Sequence, residues 1–158
     1  TNGHGLKNRK PNILSSLELD PAIMEERNLH LQKKYDAIKE NEVRYETIEC
    51  DDADYVIVAF GSAARISRKA VDIARAEGIK LGLLRPITLW PFPYKAIEEI
   101  SRKTKGMLVV EINAGQMIFD VKIAAQKNNI PVEPYGRLGG MIPAPDEIIK
   151  ALKEKVIK

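Results

Sequence analysis

Short apolar runs that alternate with helical segments constrain the fold of this chain more than any other feature. Residues 55–60 form a continuous apolar run rich in β-branched side chains, which is typical of a strand buried on both faces. Similar runs follow at residues 79–84, 107–112 and 132–135, each separated from the next by a stretch with helical spacing. Strands and helices in alternation favour right-handed crossovers. The pattern therefore predicts an α/β fold, a three-layer Rossmann-like domain with a mainly parallel sheet of about five strands.

The residues before this pattern are organised differently. Residues 1–20 form a polar arm with several glycines and basic side chains. Asp20 followed by Pro21 is a typical helix start, and helical spacing continues to about Asn41. Residues 43–48 alternate loosely and could add an edge strand. We divide the chain into an arm or linker at 1–20, an N-terminal helix and possible edge strand at 21–52, and an α/β domain at 53–158.

Composition narrows the classes of protein to which the chain can belong. Its 158 residues are enough for one domain, and its net charge of +3 comes from 25 basic and 22 acidic residues mixed along the chain. A nucleic-acid-binding face would cluster the basic residues, so we expect no nucleic-acid partner. No apolar run reaches the length of a membrane span, and we expect no membrane partner and a cytoplasmic location. Cys50 is the only cysteine, which excludes disulfides, cysteine-ligated zinc and iron–sulfur clusters within this chain.

The end of the first buried strand carries the first candidate site residues. In an open parallel sheet, ligands bind beyond the carboxyl ends of the strands. Gly61 permits a tight turn there, and Ser62 could cap the following helix. That helix N-terminus, with Arg65 one turn on, could instead contact an anion. The glycine-rich dinucleotide fingerprint and the P-loop are both absent from the sequence.

A second group of candidates follows the third buried strand. Asn113 and Gly115 tolerate a positive φ, which a sharp strand-to-helix turn often requires. Glu111 could be a catalytic carboxylate or could pair with Arg65 or Arg85 at neighbouring strand ends, and we favour the pairing. The full set of candidates in this turn is Glu111, Asn113, Gly115 and Gln116.

A glycine-rich loop follows the fourth buried strand of the domain. It contains Gly136, Gly139 and Gly140, and two prolines close it. Glycines leave room that any other side chain would fill. We expect another backbone to approach them closely, either in this protein or in a partner.

A proline-rich track links the second buried strand to its helix. Pro86, Pro91 and Pro93 fix φ and keep the residues before them out of the helical region. A stiff loop loses little entropy on binding, and aromatic side chains contribute strongly to interfaces. We therefore expect Trp90 and Phe92 to form part of a docking surface, with core packing as the alternative.

Classical catalytic sets are missing. A serine triad needs a histidine, and the two histidines are His4 in the arm and His30 on the first helix. Neither is placed where Ser62 could use it. The sequence therefore offers no convincing catalytic set.

The order of these features resembles a known family. The transketolase C-terminal domain is similar to this chain, and the C-terminal part of the α subunit of 2-oxoacid:ferredoxin oxidoreductases is more similar still. Residues 31–35 and 41–45 favour the 2-oxoisovalerate type among these enzymes. The motifs that carry the resemblance are Ala59-Phe60-Gly61-Ser62, residues 84–93, Val109-Val110-Glu111 with Gly115-Gln116, and Gly139-Gly140 with Pro143 and Pro145.

The resemblance implies a role in an enzyme that oxidatively decarboxylates a 2-oxoacid to an acyl-CoA. In such enzymes thiamine diphosphate with magnesium performs the carbon chemistry, and iron–sulfur clusters pass electrons to ferredoxin. The cofactor lies between domains that have no counterpart here. We therefore expect this chain to bind no cofactor or metal, to supply no catalytic residue and to be inactive alone. Its implied role is subunit assembly and self-association, with the substrate or CoA channel as a surface that it could line.

Two alternatives stay open at this point. The chain could be an independent Rossmann-like binder of an anionic small ligand such as CoA, with Ser62 and Arg65 at the anion. It could also be a purely structural interaction module with no ligand.

Overall fold

The protein is described here as a computed structural model in which residues 17–157 are placed. The predicted polar arm lies almost wholly outside the described residues. The described residues divide into two units, with the division between Ala37 and Ile38. Helix α1, Pro21–Asn41, begins where the sequence predicts, because Asp20 Oδ1 accepts the backbone N–H of Ala22 at 2.8 Å.

Strands and helices alternate through the second unit. The sheet order is β1-β3-β2-β4-β5, with β1 antiparallel to β3 and the other neighbours parallel. This topology confirms the predicted α/β fold with five mainly parallel strands. No helix within residues 17–157 has the length and apolar character that crossing a bilayer requires. The elements of this unit are β1 Tyr45–Ile48, β2 Tyr55–Ala59, α2 Gly61–Ala76, β3 Leu81–Pro86, α3 Tyr94–Ser101, β4 Gly106–Glu111, α4 Met117–Ala125, a short 3₁₀ turn Gln126–Asn128, β5 Val132–Gly136 and α5 Pro145–Lys155.

The sheet separates two apolar cores. Along β2, Ile57 contributes to the core beneath α2 and α5, whereas Val56 and Val58 contribute to the core beneath α3 and α4. All three side chains are fully buried. Period-two alternation directs successive side chains to opposite faces of the sheet. Both faces of the central strands are therefore apolar, which explains the continuous apolar runs in the sequence.

Strand β1 is the predicted edge strand, and polar contacts hold both of its ends. At one end, Arg44 donates its backbone N–H to Thr88 Oγ1 at 3.0 Å. Just beyond the other end, Arg75 on α2 donates to the carbonyl of Glu49 at 2.7 Å and to the carboxylate of Asp52 at 2.7 Å. The hydrogen bond from Arg75 lowers the pKa of Asp52. These contacts fasten the turn between β1 and β2 to the C-terminal end of α2.

The proline track divides its two aromatic residues between core and surface. Trp90 is 55% exposed, whereas Phe92 is only 8% exposed and belongs to the core beneath α3 and α4. The Phe92 ring also lies edge-on to Tyr94, with 5.1 Å between ring centroids. The expectation that Phe92 lies on a docking surface is therefore wrong, because the chain turns its ring inward just before α3.

We predict that Phe92→Ala lowers the free energy of unfolding by about 3 kcal/mol or more, because it leaves a cavity in the core. Trp90→Ala, the matched aromatic truncation in the same loop, should cost clearly less because most of that ring's surface is in solvent. Urea unfolding followed by circular dichroism measures both changes. Equal losses for the two variants would place both rings in the core.

Candidate functional site

Six of the twelve predicted site residues line two cavities beside the carboxyl ends of the parallel strands, and the other six line neither cavity. The sheet reverses its winding between β2 and β4, where ligands of such folds gather. One cavity lies on each side of this point. The first, of about 270 Å³, is lined by Glu46, Ile48, Gly61, Ala64, Arg65, Arg68, Leu83 and Arg85. The second, of about 200 Å³, is lined by Glu111, Asn113, Ala114, Gly115, Pro134, Tyr135, Gly136, Leu138 and Lys155.

The first cavity, which we name the arginine groove, brings Gly61, Arg65 and Arg85 together. Gly61 has a φ of +57°, so the tight turn after β2 does require glycine. The expected capping by Ser62 is wrong. Phe60 occupies the N-cap position, no side chain caps the helix, and Ser62 lies inside the first turn of α2.

The second cavity is built around a buried carboxylate. Glu111 is 2% exposed at the end of β4, and its two oxygens accept backbone N–H groups from the start of α4. The bond from Met117 is 2.9 Å long, and those from Gln116 and Ile118 are 3.2 Å. Asn113 Nδ2 donates a further bond to Oε1 at 3.2 Å. The side chain of Glu111 therefore satisfies the helix N-terminus and complements its partial positive charge.

The predicted pairing of Glu111 with an arginine is consequently wrong. Arg85 forms its ion pair with Glu46 on the neighbouring strand at 3.0 Å, and Arg65 lines the other cavity. A carboxylate accepts about four hydrogen bonds, and four N–H donors already bind this one, so it has no capacity left for an arginine. For the same reason Glu111 has no open oxygen with which to receive a substrate proton.

In the turn between β4 and α4, a positive φ was expected at Asn113 and Gly115, and only Gly115 has one. Gly115 has a φ of +106°, whereas Asn113 is not in the left-handed region. Asn113 instead accepts the N–H of Gly115 through its side-chain oxygen at 2.7 Å. Gln116 takes part through its backbone N–H, which Glu111 accepts.

The glycine-rich loop shows one close approach of backbone to backbone. A Cβ on Gly136 would lie 2.3 Å from the carbonyl oxygen of Asn113, so β5 and the turn after β4 contact through their main chains. Nothing lies within 4 Å of a Cβ on Gly139 or Gly140. These two have φ values of +62° and +82°, so backbone conformation rather than crowding selects glycine there. The expected close approach is thus confirmed within this protein for Gly136. For Gly139 and Gly140 no such approach occurs within the described residues, and approach by a partner stays a prediction.

Several polar residues around the cavities escaped the sequence analysis. Glu147 accepts the N–H of Ala144 at 3.0 Å and the Tyr135 hydroxyl at 3.1 Å, and the bond from Ala144 lowers its pKa. Burial raises the pKa of Tyr135, and the hydrogen bond from its hydroxyl to Glu147 raises it further. The position of Glu147 three residues after the N-cap was a usable signal. Arg68 joins the arginine groove, and its spacing of three from Arg65 was the signal for it.

A further polar contact joins α3 to α4 near the proline track. The Tyr94 hydroxyl donates a short hydrogen bond to Asp120 Oδ1. This bond, which deprotonation of the phenol would abolish, raises the pKa of Tyr94 to about 12. Tyr94 therefore stays protonated at physiological pH and acts as a donor that ties the two helices together.

The chemistry available at the two cavities is unequal. Within residues 17–157 there is no group of three or more His, Cys, Asp or Glu side chains that could hold a metal ion. The polar groups of the second cavity are mostly bound to one another. The arginine groove is instead lined by three arginines and one glutamate, so its net charge is positive.

Comparison with protein families decides the assignment. Residues 53–148, well over half of the chain, match the family described as pyruvate:ferredoxin oxidoreductase core domain II. The chain belongs to this family. The matched range also contains both cavities except for Glu46, Ile48 and Lys155.

Core domain II relatives include named subunits of 2-oxoacid oxidoreductases. The ketoisovalerate oxidoreductase subunit VorB of Methanothermobacter marburgensis is 43% identical over 95% of this chain and 42% of its own length. The 2-oxoglutarate synthase subunit KorA of the same organism is 38% identical over 65% of this chain and 27% of its own length. The chain thus spans well under half the length of these curated relatives.

Solved structures show the fold of this chain in other proteins. A 2-oxoglutarate:ferredoxin oxidoreductase from Magnetococcus marinus aligns with 87% of this chain and 24% of its own, with a TM-score of 0.70 and 24% identity. A split-gene transketolase, described as an inactive β4 tetramer, aligns with 72% of this chain and 41% of its own, with a TM-score of 0.61 and 19% identity. Both likenesses confirm the transketolase C-terminal-like fold.

We predict that Glu111→Ala lowers the free energy of unfolding by about 3 kcal/mol, because three N–H groups of α4 lose their acceptor. Glu111→Gln keeps one oxygen and should lose less. Chemical denaturation measures both variants against Glu99→Ala and Glu99→Gln, since Glu99 is exposed on α3. A loss for Glu111→Ala no greater than that for Glu99→Ala would show that the buried bonds contribute nothing.

Proposed function

We propose that this chain is the non-catalytic core domain II of a 2-oxoacid:ferredoxin oxidoreductase α subunit and that it acts in subunit assembly. The observation that carries the proposal is the extent of the match to VorB. It covers 150 residues, so it reaches well before residue 53, whereas the KorA match covers only 102 residues. The likeness to VorB therefore includes sequence outside the shared domain, and this supports the VorB-type subunit.

The longer match to VorB than to KorA also supports a branched-chain substrate for the complete enzyme. Two VorB relatives, named as ketoisovalerate oxidoreductase subunits, are 43% and 42% identical to this chain. We propose that the complete enzyme oxidatively decarboxylates a branched-chain 2-oxoacid to its acyl-CoA and passes the electrons to ferredoxin. Lining the substrate or CoA channel stays a predicted role for this domain.

The side chains of this domain do not fit the cofactors of such an enzyme. Magnesium diphosphate needs open carboxylate or amide oxygens, and the one buried carboxylate within residues 17–157, Glu111, has given both oxygens to α4. An iron–sulfur cluster needs several thiolates, and Cys50 is the only cysteine of the chain. We infer that thiamine diphosphate, magnesium and the clusters are held by other parts of the complete enzyme.

Two loops at the carboxyl ends of β3 and β5 support the role in assembly. We name residues 87–90 and 138–142 the apolar edge loops. A soluble domain that exposes many large apolar side chains in short loops usually covers them with a partner. The exposed apolar residues of the two loops are Ile87, Leu89, Trp90, Leu138, Met141 and Ile142.

Backbone conformation holds these side chains outward. Thr88 accepts the N–H of Arg44 and donates its hydroxyl to the carbonyl of Pro91 at 2.9 Å, which fixes the first loop. Gly139 and Gly140 take left-handed conformations that turn the second loop. Loops ordered in this way lose little entropy on binding. We propose that they contact other subunits or a second copy of this domain.

The complete enzyme should have at least about tenfold higher kcat/KM for 2-oxoisovalerate than for 2-oxoglutarate. Such a ratio corresponds to about 1.4 kcal/mol of transition-state discrimination. Reduction of ferredoxin in the presence of CoA measures both substrates. Preference for 2-oxoglutarate would contradict the VorB-type assignment but would leave the role in assembly untouched.

In the same complete enzyme, Trp90→Ala should weaken subunit association by roughly 2 kcal/mol, because a buried aromatic anchor is lost from the interface. Trp90→Phe should retain most of the affinity. Lys80→Ala is the control, because Lys80 is also exposed but lies just before β3, at the amino ends of the parallel strands. Sedimentation velocity over a concentration series measures the association. Unchanged association in Trp90→Ala would remove this loop from the interface.

A further inference from the structure

The arginine groove lies where helix α2 passes over the edge of the sheet. One face of the helix contributes Gly61, Ala64, Arg65 and Arg68, at spacings that place them side by side. Strand β1 contributes Glu46 and Ile48, and β3 contributes Leu83 and Arg85. The floor is therefore apolar and the rim is charged. Its volume of about 270 Å³ is close to the lower end of cavities that take small ligands.

The charges in the groove are unbalanced. It contains three guanidinium groups and one carboxylate, Glu46, which is already paired with Arg85 at 3.0 Å. Arg65 and Arg68 form no ion pair with any residue within 17–157. The other arginines of the second unit all do: Arg44 with Glu42, Arg75 with Asp52, Arg85 with Glu46, Arg102 with Glu98 and Arg137 with Glu147.

The backbone adds donors at the same place. Helix α2 has 16 residues, and its N-cap residue Phe60 offers no side-chain acceptor. Ala64 donates to the carbonyl of Phe60, but the N–H groups of residues 61–63 find no acceptor within the described part of the chain. Gly61, whose φ is +57°, lines the groove directly. An exposed, uncapped helix N-terminus attracts negative charge.

We propose that the arginine groove binds a phosphate or pyrophosphate group carried by a small organic ligand. Two unpaired arginines offer about ten N–H donors, whereas one carboxylate accepts about four hydrogen bonds. A phosphate group has more oxygens and more negative charge than a carboxylate, so it can accept more of these N–H donors. Arginine also binds phosphate oxygens in pairs with its planar fork. The ion pair with Glu46 holds Arg85 in place at the rim, and the apolar floor of Ile48 and Leu83 suits the organic part of the ligand.

This binding would exist beside the role in assembly and does not depend on it. The groove uses α2 and the β1 side of the sheet, and none of its lining residues belongs to the apolar edge loops. An acidic segment of another subunit is the competing occupant of a basic surface. A concave groove of this size that includes a helix N-terminus favours the small anion.

Titration of the 158-residue chain with sodium pyrophosphate, inorganic phosphate and acetate tests the proposal. Binding is followed by calorimetry and by the amide NMR signals of residues 61–63. Pyrophosphate should bind more tightly than phosphate, acetate should not bind measurably, and the affinity should fall as salt rises. If phosphate binds as tightly as pyrophosphate, a single phosphate group fills the groove and the pyrophosphate part of the proposal is wrong.

Variants assign the binding to the groove. Arg65→Gln and Arg68→Gln should each weaken pyrophosphate binding about tenfold, as expected for the loss of a charge-assisted pair of hydrogen bonds. Lys69→Gln removes the same charge from the same helix outside the groove and should change the affinity less than twofold. Equal effects of all three variants would reduce the binding to general charge attraction and overturn the proposal.

A separate measurement distinguishes the acidic protein partner. If neither phosphate nor pyrophosphate binds, and Arg65→Gln and Arg68→Gln weaken subunit association in the complete enzyme, the groove is a protein contact and the proposal is wrong. If the anions bind and association is unchanged in these variants, the groove is a ligand site. The Trp90 variants report on assembly independently of either outcome.

Discussion

The buried carboxylate of Glu111 is the interaction on which the carboxyl edge of this domain depends. Bringing a charged group into an apolar interior is costly unless hydrogen bonds replace its water. The N–H groups of residues 116–118 provide those bonds, and they are the groups that a helix start leaves unpaired. Each partner thus removes the desolvation cost of the other. The position of α4, and with it the packing of α3 against α4, follows from this arrangement.

Most of the fold could be predicted from the sequence because strands buried on both faces leave a strong continuous apolar signal. The predicted boundaries moved where the pairing register decided them. Strand β3 was expected at 79–84 but runs from 81 to 86, because the parallel register pairs Tyr55 with Leu81. Helix α4 begins only at Met117, because the residues between β4 and α4 form the turn that caps it. The edge strand β1 was harder to predict, since polar residues occur on both of its faces and none of its four residues is buried.

The candidate site was predicted less well, because its contacts depend on neighbours that are distant in sequence. Arg85 pairs with Glu46 only because the antiparallel register of β1 brings them opposite one another. Nothing local to Glu111 shows that helix N–H groups, rather than an arginine, will take its oxygens. Phe92 and Trp90 are both aromatic residues of the same proline-rich loop, so the sequence does not show which ring is buried. The direction in which the chain enters α3 places Phe92 in the core and Trp90 at the surface. The role of Gly61 could be predicted, because few residues other than glycine adopt the positive φ that a sharp strand-to-helix turn requires.

The short, fastened edge strand has a consequence for how this domain can join other proteins. A sheet with an open edge can grow by accepting a guest strand, which is a common route to unwanted polymers. Here β1 has only four residues, and Arg75 occupies the carbonyl of Glu49 just beyond its end. A guest strand would gain few main-chain bonds along so short an edge. Contact by sheet extension is therefore disfavoured on this side, and recognition is left to side chains, which can discriminate one partner from another.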